Sequence, residues 1–156
     1  MIRLDNVIKQ YGNFRLECSM EVPVGQVTGL IGRNGAGKST AFKAILGLIH
    51  TDGGTVEVFG KNVAELTQAD REKIGVVLSD SGLCSWFTIR DFIPVLDTMY
   101  ADFSREKFMA ECERLELPLK KKIKDFSTGM KRKLQILVAL SHDAKLLILD
   151  EPTAGL

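Results

Sequence analysis

The stretch Gly32-Arg33-Asn34-Gly35-Ala36-Gly37-Lys38-Ser39-Thr40 decides the fold, because it fits the phosphate-binding pattern G-x-x-x-x-G-K-[ST]. An apolar run from Val27 to Ile31 precedes it, and a helix-like pattern from Ala41 to Leu48 follows it. This strand, loop and helix order is the context that the motif requires. Gly35 and Gly37 let the backbone wrap so that successive N–H groups face anionic oxygens, next to the positive end of the following helix. We therefore predict a triphosphate site here; the alternative is a glycine-rich turn without a ligand.

The residue types of the loop predict separate roles at this site. Lys38 is placed to reach the β- and γ-phosphates, the Ser39 hydroxyl to ligate Mg²⁺, and Thr40 to face the α-phosphate. The remaining residues would contribute backbone N–H groups or a close approach to the phosphates. The predicted nucleotide-binding residues of the loop are Gly32, Asn34, Gly35, Ala36, Gly37, Lys38, Ser39 and Thr40.

Composition limits the class of protein. The 156 residues suffice for one core, and 45% hydrophobic with 26% charged residues is typical of a soluble globular domain. A formal net charge of +1 gives no general reason to expect a nucleic-acid partner. No apolar run approaches the ~18 residues of a membrane span, and no signal peptide is evident, so we expect a cytoplasmic protein. Three cysteines without a C-x-x-C pair indicate incidental thiols rather than a disulfide or zinc site.

The first half of the chain predicts an antiparallel layer around the phosphate loop. Two alternating segments, from Ile2 to Val7 and from Phe14 to Val22, are typical of strands joined by a turn at Tyr11-Gly12-Asn13. Further strands are predicted over Gln26 to Ile31, which is apolar enough for burial on both faces, and over Thr55 to Phe59, and a helix is predicted over Lys38 to Ile49.

The second half alternates helices with short apolar strands. The pattern predicts a polar helix over Glu65 to Lys73, a buried strand over Ile74 to Leu78, an amphipathic helical region over Trp86 to Leu117, a helix from Ser127 to about His142 and a strand over Leu146 to Leu149. The Lys120-Lys121-Lys122-Ile123-Lys124 run between them is interpreted as a solvated face. Ser127 is placed as an N-cap that leaves a helix end open to an anion. Asp150 and Glu151 end the last strand, where a buried sheet presents ligands to a phosphate site.

Together these motifs resemble the ATP-binding domain of ATP-binding cassette (ABC) proteins over the whole chain. Gly32 to Ser39 corresponds to Walker A, Leu146 to Glu151 to Walker B, and Phe126-Ser127-Thr128-Gly129-Met130 to the signature loop, whose usual form is L-S-G-G-Q. Tyr11 occupies the place of the aromatic residue that stacks on adenine. The resemblance implies an α/β fold: a P-loop NTPase (RecA-like) core with an antiparallel β layer, a helical subdomain at about 80–142 and the C-terminal part missing, so that 1–156 is a partial domain.

The chain departs from the family pattern at two places. Ser79 stands where most members carry the glutamine of the Q-loop, and we interpret it as a polar turn residue, with a water bridge or Asp80 as possible substitutes. The sequence stops at Leu156, before the positions of the family's D-loop aspartate and switch histidine. Neither His50 nor His142 stands at the switch position, and both are predicted to be surface residues. We expect the chain to retain nucleotide contacts, to hydrolyse slowly, and to expose the edge of its last strand.

The resemblance also implies a mechanism and partners. Two domains would sandwich ATP head to tail, with Ser127 and Gly129 of one copy completing the site of the other. Asp150 would hold Mg²⁺ together with Ser39, and Glu151 and Lys38 would be catalytic. A separate membrane-spanning subunit would receive the motion, at the inner face of the cell membrane. The signature form is closer to that of drug and antibiotic exporters than to that of importers. The alternatives are a non-transport ABC ATPase of the translation or DNA-repair type, and a regulatory nucleotide-binding module without turnover.

Overall fold

The computed structural model describes residues 1–79 and 83–151 of the chain. It divides into two compact units, Met1–Asp70 and Arg71–Leu156. Asp80, which was considered as a substitute for the Q-loop glutamine, and the residues after Glu151 lie outside the described part. None of the described helices is both long and apolar enough to cross a bilayer.

The first unit is built on an antiparallel sheet with the strand order β2-β1-β3-β4. Its strands are β1 (Ile2–Tyr11), β2 (Phe14–Val22), β3 (Gly53–Val58) and β4 (Lys61–Asn62). The predicted turn between β1 and β2 is confirmed, with Tyr11 opposite Phe14. β3 begins two residues earlier than predicted, because Gly53 pairs with Ile8 across the sheet. Alternate residues of these strands form the buried side of the sheet: Leu4, Val7, Val56 and Val58.

Helix α1 (Lys38–Ile45) follows the phosphate loop and is shorter than the predicted Lys38 to Ile49. It buries Ala41, Ala44 and Ile45, so its buried face is lined mainly by small residues. The helix ends at Leu46, whose N–H still donates to the Phe42 carbonyl. Gly47 then adopts a positive φ of 67°, which breaks the helical path.

The predicted strand over Gln26 to Ile31 is wrong. This segment pairs with no described strand, and Val27 and Ile31 are 104% and 95% exposed. A strand requires a hydrogen-bonding neighbour as well as a suitable sequence, because unpaired backbone groups gain nothing by leaving water. The apolar pattern is typical of a buried strand, but the pattern alone does not determine whether another strand pairs with the segment.

The predicted helix over Glu65 to Lys73 is reduced to two short pieces. A 3₁₀ turn covers Val63–Glu65, and helix α2 covers only Gln68–Arg71. The Asp70 carboxylate fixes this region, because it accepts hydrogen bonds from the Lys61 ammonium at 2.7 Å and the Thr67 hydroxyl at 2.8 Å. These bonds, with that of Lys61 the largest effect, hold the pKa of Asp70 well below its usual range.

The second unit has a two-stranded parallel sheet of β5 (Ile74–Val77) and β6 (Leu146–Leu149), with Ile74 opposite Leu146 and Val77 opposite Leu149. Helix α5 (Thr128–Ala139) packs on β5. Gly75 permits this approach, because a Cβ there would lie 2.4 Å from the Ala139 carbonyl oxygen. Both predicted strands are confirmed, and their carboxyl ends lie at the same edge of the sheet.

Strand β6 is half-exposed along its length. Leu146 and Ile148 are buried, whereas Leu147 and Leu149 are 42% and 37% exposed. Among the described strands, β6 pairs only with β5. No described strand therefore lies along its other edge.

The helical part of the second unit consists of α3 (Ile89–Met99) and α4 (Arg105–Arg114), which pack with α5 around one core. The predicted helical region is interrupted between Tyr100 and Ser104, and Ser104 starts α4 by accepting a hydrogen bond from the Lys107 N–H. The buried residues of this core are Ile89, Ile93, Leu96, Phe108, Cys112, Leu117, Ile123, Phe126, Leu134 and Leu137. Burial also raises the pKa of the Cys112 thiol to about 11, as fits a structural thiol.

Candidate nucleotide site

The phosphate loop is exposed over residues 31–36. It packs closely against β2 at Gly37. Gly37 adopts a φ of +98°, and a Cβ added there would lie 2.9 Å from Leu16 Cδ1 and 3.0 Å from Phe14 Cζ. The conformation therefore favours glycine, and a Cβ there would also displace the ends of the Leu16 and Phe14 side chains. Gly35 also has a positive φ, +80°, but open space lies around it. Gly35 and Gly37 thus differ: Gly37 packs against β2, whereas the space around Gly35 is open.

The Lys38 side chain lies over its own loop. Its ammonium donates to the carbonyl oxygens of Gly32 at 2.7 Å and Arg33 at 3.0 Å. The Ala36 N–H also closes a turn onto the Arg33 carbonyl at 3.1 Å. A positive charge held only by neutral carbonyl groups is a good partner for an anion, because phosphate oxygens form stronger charge-assisted bonds. Ser39 and Thr40 follow in the first turn of α1, both half-buried.

Tyr11 lies at the end of the β1–β2 hairpin and is 48% exposed. Its register partner Phe14 is, with Leu16, one of the two residues next to the Gly37 position. The Lys9 ammonium lies 5.2 Å from the Tyr11 ring centroid. The predicted adenine-stacking residue is therefore an accessible aromatic ring on the hairpin that contacts the phosphate loop.

The acidic strand tip of the second unit combines a buried and an exposed carboxylate. Asp150 is 3% exposed, and its N–H donates to the Val77 carbonyl at 2.8 Å, which continues the ladder beyond β6. Glu151 is exposed and adopts a φ of +48°, a conformation that few residues other than glycine take up. These two adjacent acids thus face different environments, because Asp150 is buried and bonded to the neighbouring strand whereas Glu151 is exposed.

Ser79 is more than a polar turn residue. It follows β5, and its hydroxyl donates to Asp150 Oδ2 at 2.8 Å. Adjacent parallel strands bring their carboxyl ends together, so Ser79, two residues beyond β5, reaches the acid directly after β6. The sequence predicts that Ser79 and Asp150 each lie near the end of a strand. Their contact depends on the pairing of β5 with β6, and the sequence pattern of each strand does not reveal its partner.

The signature segment forms a capped helix start, as predicted. Ser127 is the N-cap of α5, and its hydroxyl accepts a hydrogen bond from the Met130 N–H at 3.2 Å. Ser127 and Thr128 are exposed, Gly129 is half-buried, and the first turn contains no acidic residue. The positive end of the helix is therefore not neutralised by its own side chains.

The two histidines differ from each other. His50 is exposed, as expected, whereas the surface prediction for His142 is wrong, because its side chain is buried at 8% exposure. Its ring stacks on Tyr100 with centroids 3.9 Å apart and planes 1° from parallel. Neither ring nitrogen has a hydrogen-bond partner in the described part of the chain. Packing against Tyr100 buries the ring. The sequence did not indicate this burial, because a polar residue at the end of a predicted helix is usually exposed.

The oxygen donors fit a magnesium nucleotide. No group of three or more His, Cys, Asp or Glu side chains within 1–79 and 83–151 is arranged to hold a metal ion. Mg²⁺ at nucleotide sites takes one or two protein oxygens and fills its shell with phosphate oxygens and water. The Ser39 hydroxyl and the Asp150 carboxylate are donors of this kind.

Comparison with known families decides the assignment, since the ABC transporter profile matches residues 16–154. The chain belongs to the ABC transporter family. Structure comparison agrees. An ATP-binding subunit of an ABC transporter has a TM-score of 0.83 at 26% identity, over 99% of this chain and 67% of the other. An ATP-binding cassette solved as a dimer in a post-hydrolysis state with ADP and Pi also has a TM-score of 0.83, at 25% identity, over 100% and 76%. The P-loop NTPase fold is thereby confirmed.

Curated relatives of this ABC chain come from exporters and resistance systems. A bacitracin transport ATP-binding protein from Enterococcus faecalis is 36% identical over 100% of this chain and 52% of its own length. A Nod factor export ATP-binding protein I from Burkholderia orbicola is 38% identical over 97% and 52%. A linearmycin resistance ATP-binding protein from Bacillus subtilis is 36% identical over 100% and 52%. The chain spans about half the length of these curated relatives.

Proposed function

We propose that this chain binds ATP on the loop 32–40 and contributes to its hydrolysis, as the ATPase component of an ABC exporter. The observation that carries the proposal is the placement of the Lys38 ammonium over the phosphate loop, on the carbonyls of Gly32 and Arg33. In this position the lysine can exchange carbonyl oxygens for phosphate oxygens with little movement. Such an exchange favours the anion, because hydrogen bonds between two charged groups are stronger than those to neutral carbonyls.

Nucleotide binding would use three features of the first unit. The backbone of the loop, wrapped through Gly35 and Gly37, would surround the phosphates, with the positive end of α1 beneath them. Thr40 would face the α-phosphate. Tyr11 would stack on the adenine, and its support is the hairpin contact between Phe14 and the Gly37 position. Stacking on an aromatic ring adds about 1 to 3 kcal/mol per base without demanding a particular base.

Mg²⁺ would be held by the Ser39 hydroxyl and the Asp150 carboxylate. Bound there, the ion would neutralise the charge that develops on the β- and γ-phosphates. The residues of the chain fix the carboxylate for this task. The Asp150 backbone is bonded to Val77, and its side chain accepts the Ser79 hydroxyl, so the carboxylate is oriented before any ligand arrives.

Ser79 is therefore proposed as a positioning residue at the place of the Q-loop glutamine. The short side chain orients the Asp150 carboxylate directly. A glutamine at this position would have to fold back to make the same contact. Partners that orient a metal ligand commonly affect metal affinity and activity although they do not touch the metal.

Glu151 is the proposed general base. It is exposed, adjoins the fixed Asp150 and has an uncommon positive φ of 48°. Left-handed backbone at a non-glycine residue costs free energy and is concentrated at functional sites. In this proposal the buried Asp150 serves the metal and the exposed Glu151 serves an attacking water.

The proposed partners are a second ATP-binding domain and a membrane-spanning subunit. The open, positively polarised start of α5 at Ser127 and Gly129 would complete the γ-phosphate site of the second copy. Support comes from the similar cassette solved as a dimer with ADP and Pi. The names of the curated relatives support a role in export. A position at the inner face of the cell membrane is part of the same proposal. The names of these relatives also favour a transporter ATPase over the translation, DNA-repair and purely regulatory alternatives.

The substitution Glu151→Gln tests the proposal. ATP binding is measured by calorimetry, and phosphate release is measured on the same sample. We expect ATP affinity to be retained, turnover to fall by roughly 1,000-fold, and ATP to shift the protein towards a dimer. Glu116→Gln is the matched control, because Glu116 is also an exposed glutamate of the second unit with a positive φ, 58°. Equal turnover in Glu151→Gln and the wild type would refute the enzymatic proposal, whereas absence of ATP binding in both would refute the nucleotide site itself.

A further inference from the structure

The end of β1 is paired with a strand on one side only. On that side it pairs with β2, and Tyr11 lies opposite Phe14. On the other side the pairing with β3 stops at Ile8, which lies opposite Gly53. The last residues of β1, which include the predicted adenine-stacking Tyr11, extend beyond this point. A strand end that pairs on one side only needs another partner if its position is to be fixed.

Asp52, the residue before β3, provides that partner. Its N–H donates to the Ile8 carbonyl at 2.7 Å. Its Oδ2 then accepts the Gln10 N–H at 2.7 Å, and its Oδ1 accepts the Lys9 ammonium at 3.2 Å. These bonds, with that of the Gln10 N–H the largest effect, lower the pKa of Asp52. The carboxylate therefore continues the hydrogen bonding of the sheet past the point where β3 begins.

Lys9 extends this contact to the Tyr11 ring. The Lys9 side chain is only 15% exposed, and its ammonium lies over the ring, 5.2 Å from the centroid. An aromatic face attracts a cation in this position. The ring is nevertheless 48% exposed, so a large part of its surface stays open to a base. Asp52 thus acts on Tyr11 by two routes, through the backbone of the preceding residue and through Lys9.

We infer that Asp52 is a positioning residue for adenine, which holds the Tyr11 ring where the base stacks. The inference rests on the proposed stacking of adenine on Tyr11. A ring that is ordered before the base arrives loses less freedom on binding, and this raises the affinity without a new contact. The negative charge of Asp52 would repel phosphates, so it cannot favour the nucleotide by direct attraction.

Two ligands separate the base from the phosphates. Mg-ATP carries both, whereas inorganic tripolyphosphate with Mg²⁺ carries no base. Calorimetric titration of the full chain with each ligand gives two affinities. Asp52→Ala should weaken ATP binding by about 3- to 10-fold, the size of one lost hydrogen bond. It should not weaken tripolyphosphate binding, because the substitution removes a negative charge.

Two further variants serve as controls. Asp5→Ala makes the same change of charge at another exposed aspartate, on β1 itself, whose carboxylate accepts the Asn6 side-chain amide. It should leave both affinities unchanged. Asp52→Asn retains an oxygen that can accept the Gln10 N–H, and should restore most of the ATP affinity. Urea unfolding of each variant shows that it is folded under the conditions of the titration.

A double variant tests whether Asp52 acts through the ring. In a Tyr11→Ala background, Asp52→Ala should cause no further loss of ATP affinity, because the group that it positions is absent. Residues that act on one contact give losses that do not add, whereas independent residues give losses that do.

The outcomes separate this inference from the proposed function. Equal losses of ATP and tripolyphosphate affinity in Asp52→Ala would overturn the positioning role, as would additive losses in the double variant. An asparagine variant as weak as the alanine variant would also overturn it. ATP binding that Asp52→Ala leaves unchanged would refute the inference alone. Failure of the wild type to bind either ligand would refute the nucleotide site, and the inference with it.

Discussion

The phosphate loop and the acidic strand tip differ in how far their conformations are fixed by packing. Residues 31–36 of the loop are exposed, and the Lys38 ammonium donates to two carbonyls of its own loop. Asp150 is buried, fixed through its N–H to Val77 and oriented by Ser79. A group that must close around a ligand needs exchangeable bonds, whereas a metal ligand gains from being oriented in advance. The comparison therefore predicts that changes in the loop alter binding and changes at the strand tip alter turnover.

Lys38→Ala should have the largest effect on binding. Loss of a charged hydrogen-bond partner of the phosphates removes about 2 to 3 kcal/mol, or roughly 30- to 150-fold in ATP affinity. Arg33→Ala is the control, because Arg33 contributes its backbone carbonyl to the Lys38 contact and retains it after substitution. Calorimetric titration with Mg-ATP measures both. Comparable losses in the two variants would mean that general positive charge, rather than the placed lysine, attracts the nucleotide.

Gly37→Ala should destabilise the first unit without any ligand. The φ of +98° and the 2.9 Å approach to Leu16 should together cost about 2 to 3 kcal/mol. Gly35 also has a positive φ, but the space around it is open. Gly35→Ala should therefore lower the free energy of unfolding by about 1 kcal/mol, through the backbone conformation alone. Urea unfolding of both variants gives the difference. Equal losses of unfolding free energy in the two variants would show that packing of the loop against β2 does not contribute to stability.

Ser79→Ala should lower turnover by about 3- to 10-fold, as expected for the loss of one hydrogen bond to a carboxylate. ATP affinity without Mg²⁺ should not change, while the Mg²⁺ concentration that gives half-maximal turnover should rise. Ser79→Thr keeps the hydroxyl and should restore most of the activity. Threonine and alanine variants that behave alike would show that the Ser79 hydroxyl does not position Asp150.

His142→Phe gives the smallest expected effect and tests whether packing alone holds this ring in the second unit. Because its ring stacks on Tyr100 and its nitrogens lack partners among the described residues, His142→Phe should change the free energy of unfolding by no more than about 1 kcal/mol. His142→Ala should cost about 3 kcal/mol, since it removes the ring and leaves a cavity. A phenylalanine variant as unstable as the alanine variant would indicate that the imidazole nitrogens matter.

Much of the site could be predicted from sequence because its residues occur in short, local patterns. The phosphate loop, the N-cap at Ser127 and the acids after β6 each depend on neighbours within a few positions, and those neighbours fix the local backbone. Strands β1, β2, β5 and β6 were recognised for the same reason, since alternation and apolar runs are local. The segment 26–31 had an equally clear pattern and is not a strand, because pairing depends on another part of the chain.

The sequence by itself determined which segments can surround a phosphate and which side chains can ligate Mg²⁺, since these follow from residue type and spacing. Only the tertiary structure decided that Ser79 bonds to Asp150, that His142 is buried on Tyr100, and that Asp52 bonds to the end of β1. Each of these contacts joins segments that lie apart in the chain, by 71 positions for Ser79 and Asp150. Their proximity is set by strand pairing and helix packing, which minimise exposed apolar area over the whole unit and leave no local trace in the sequence.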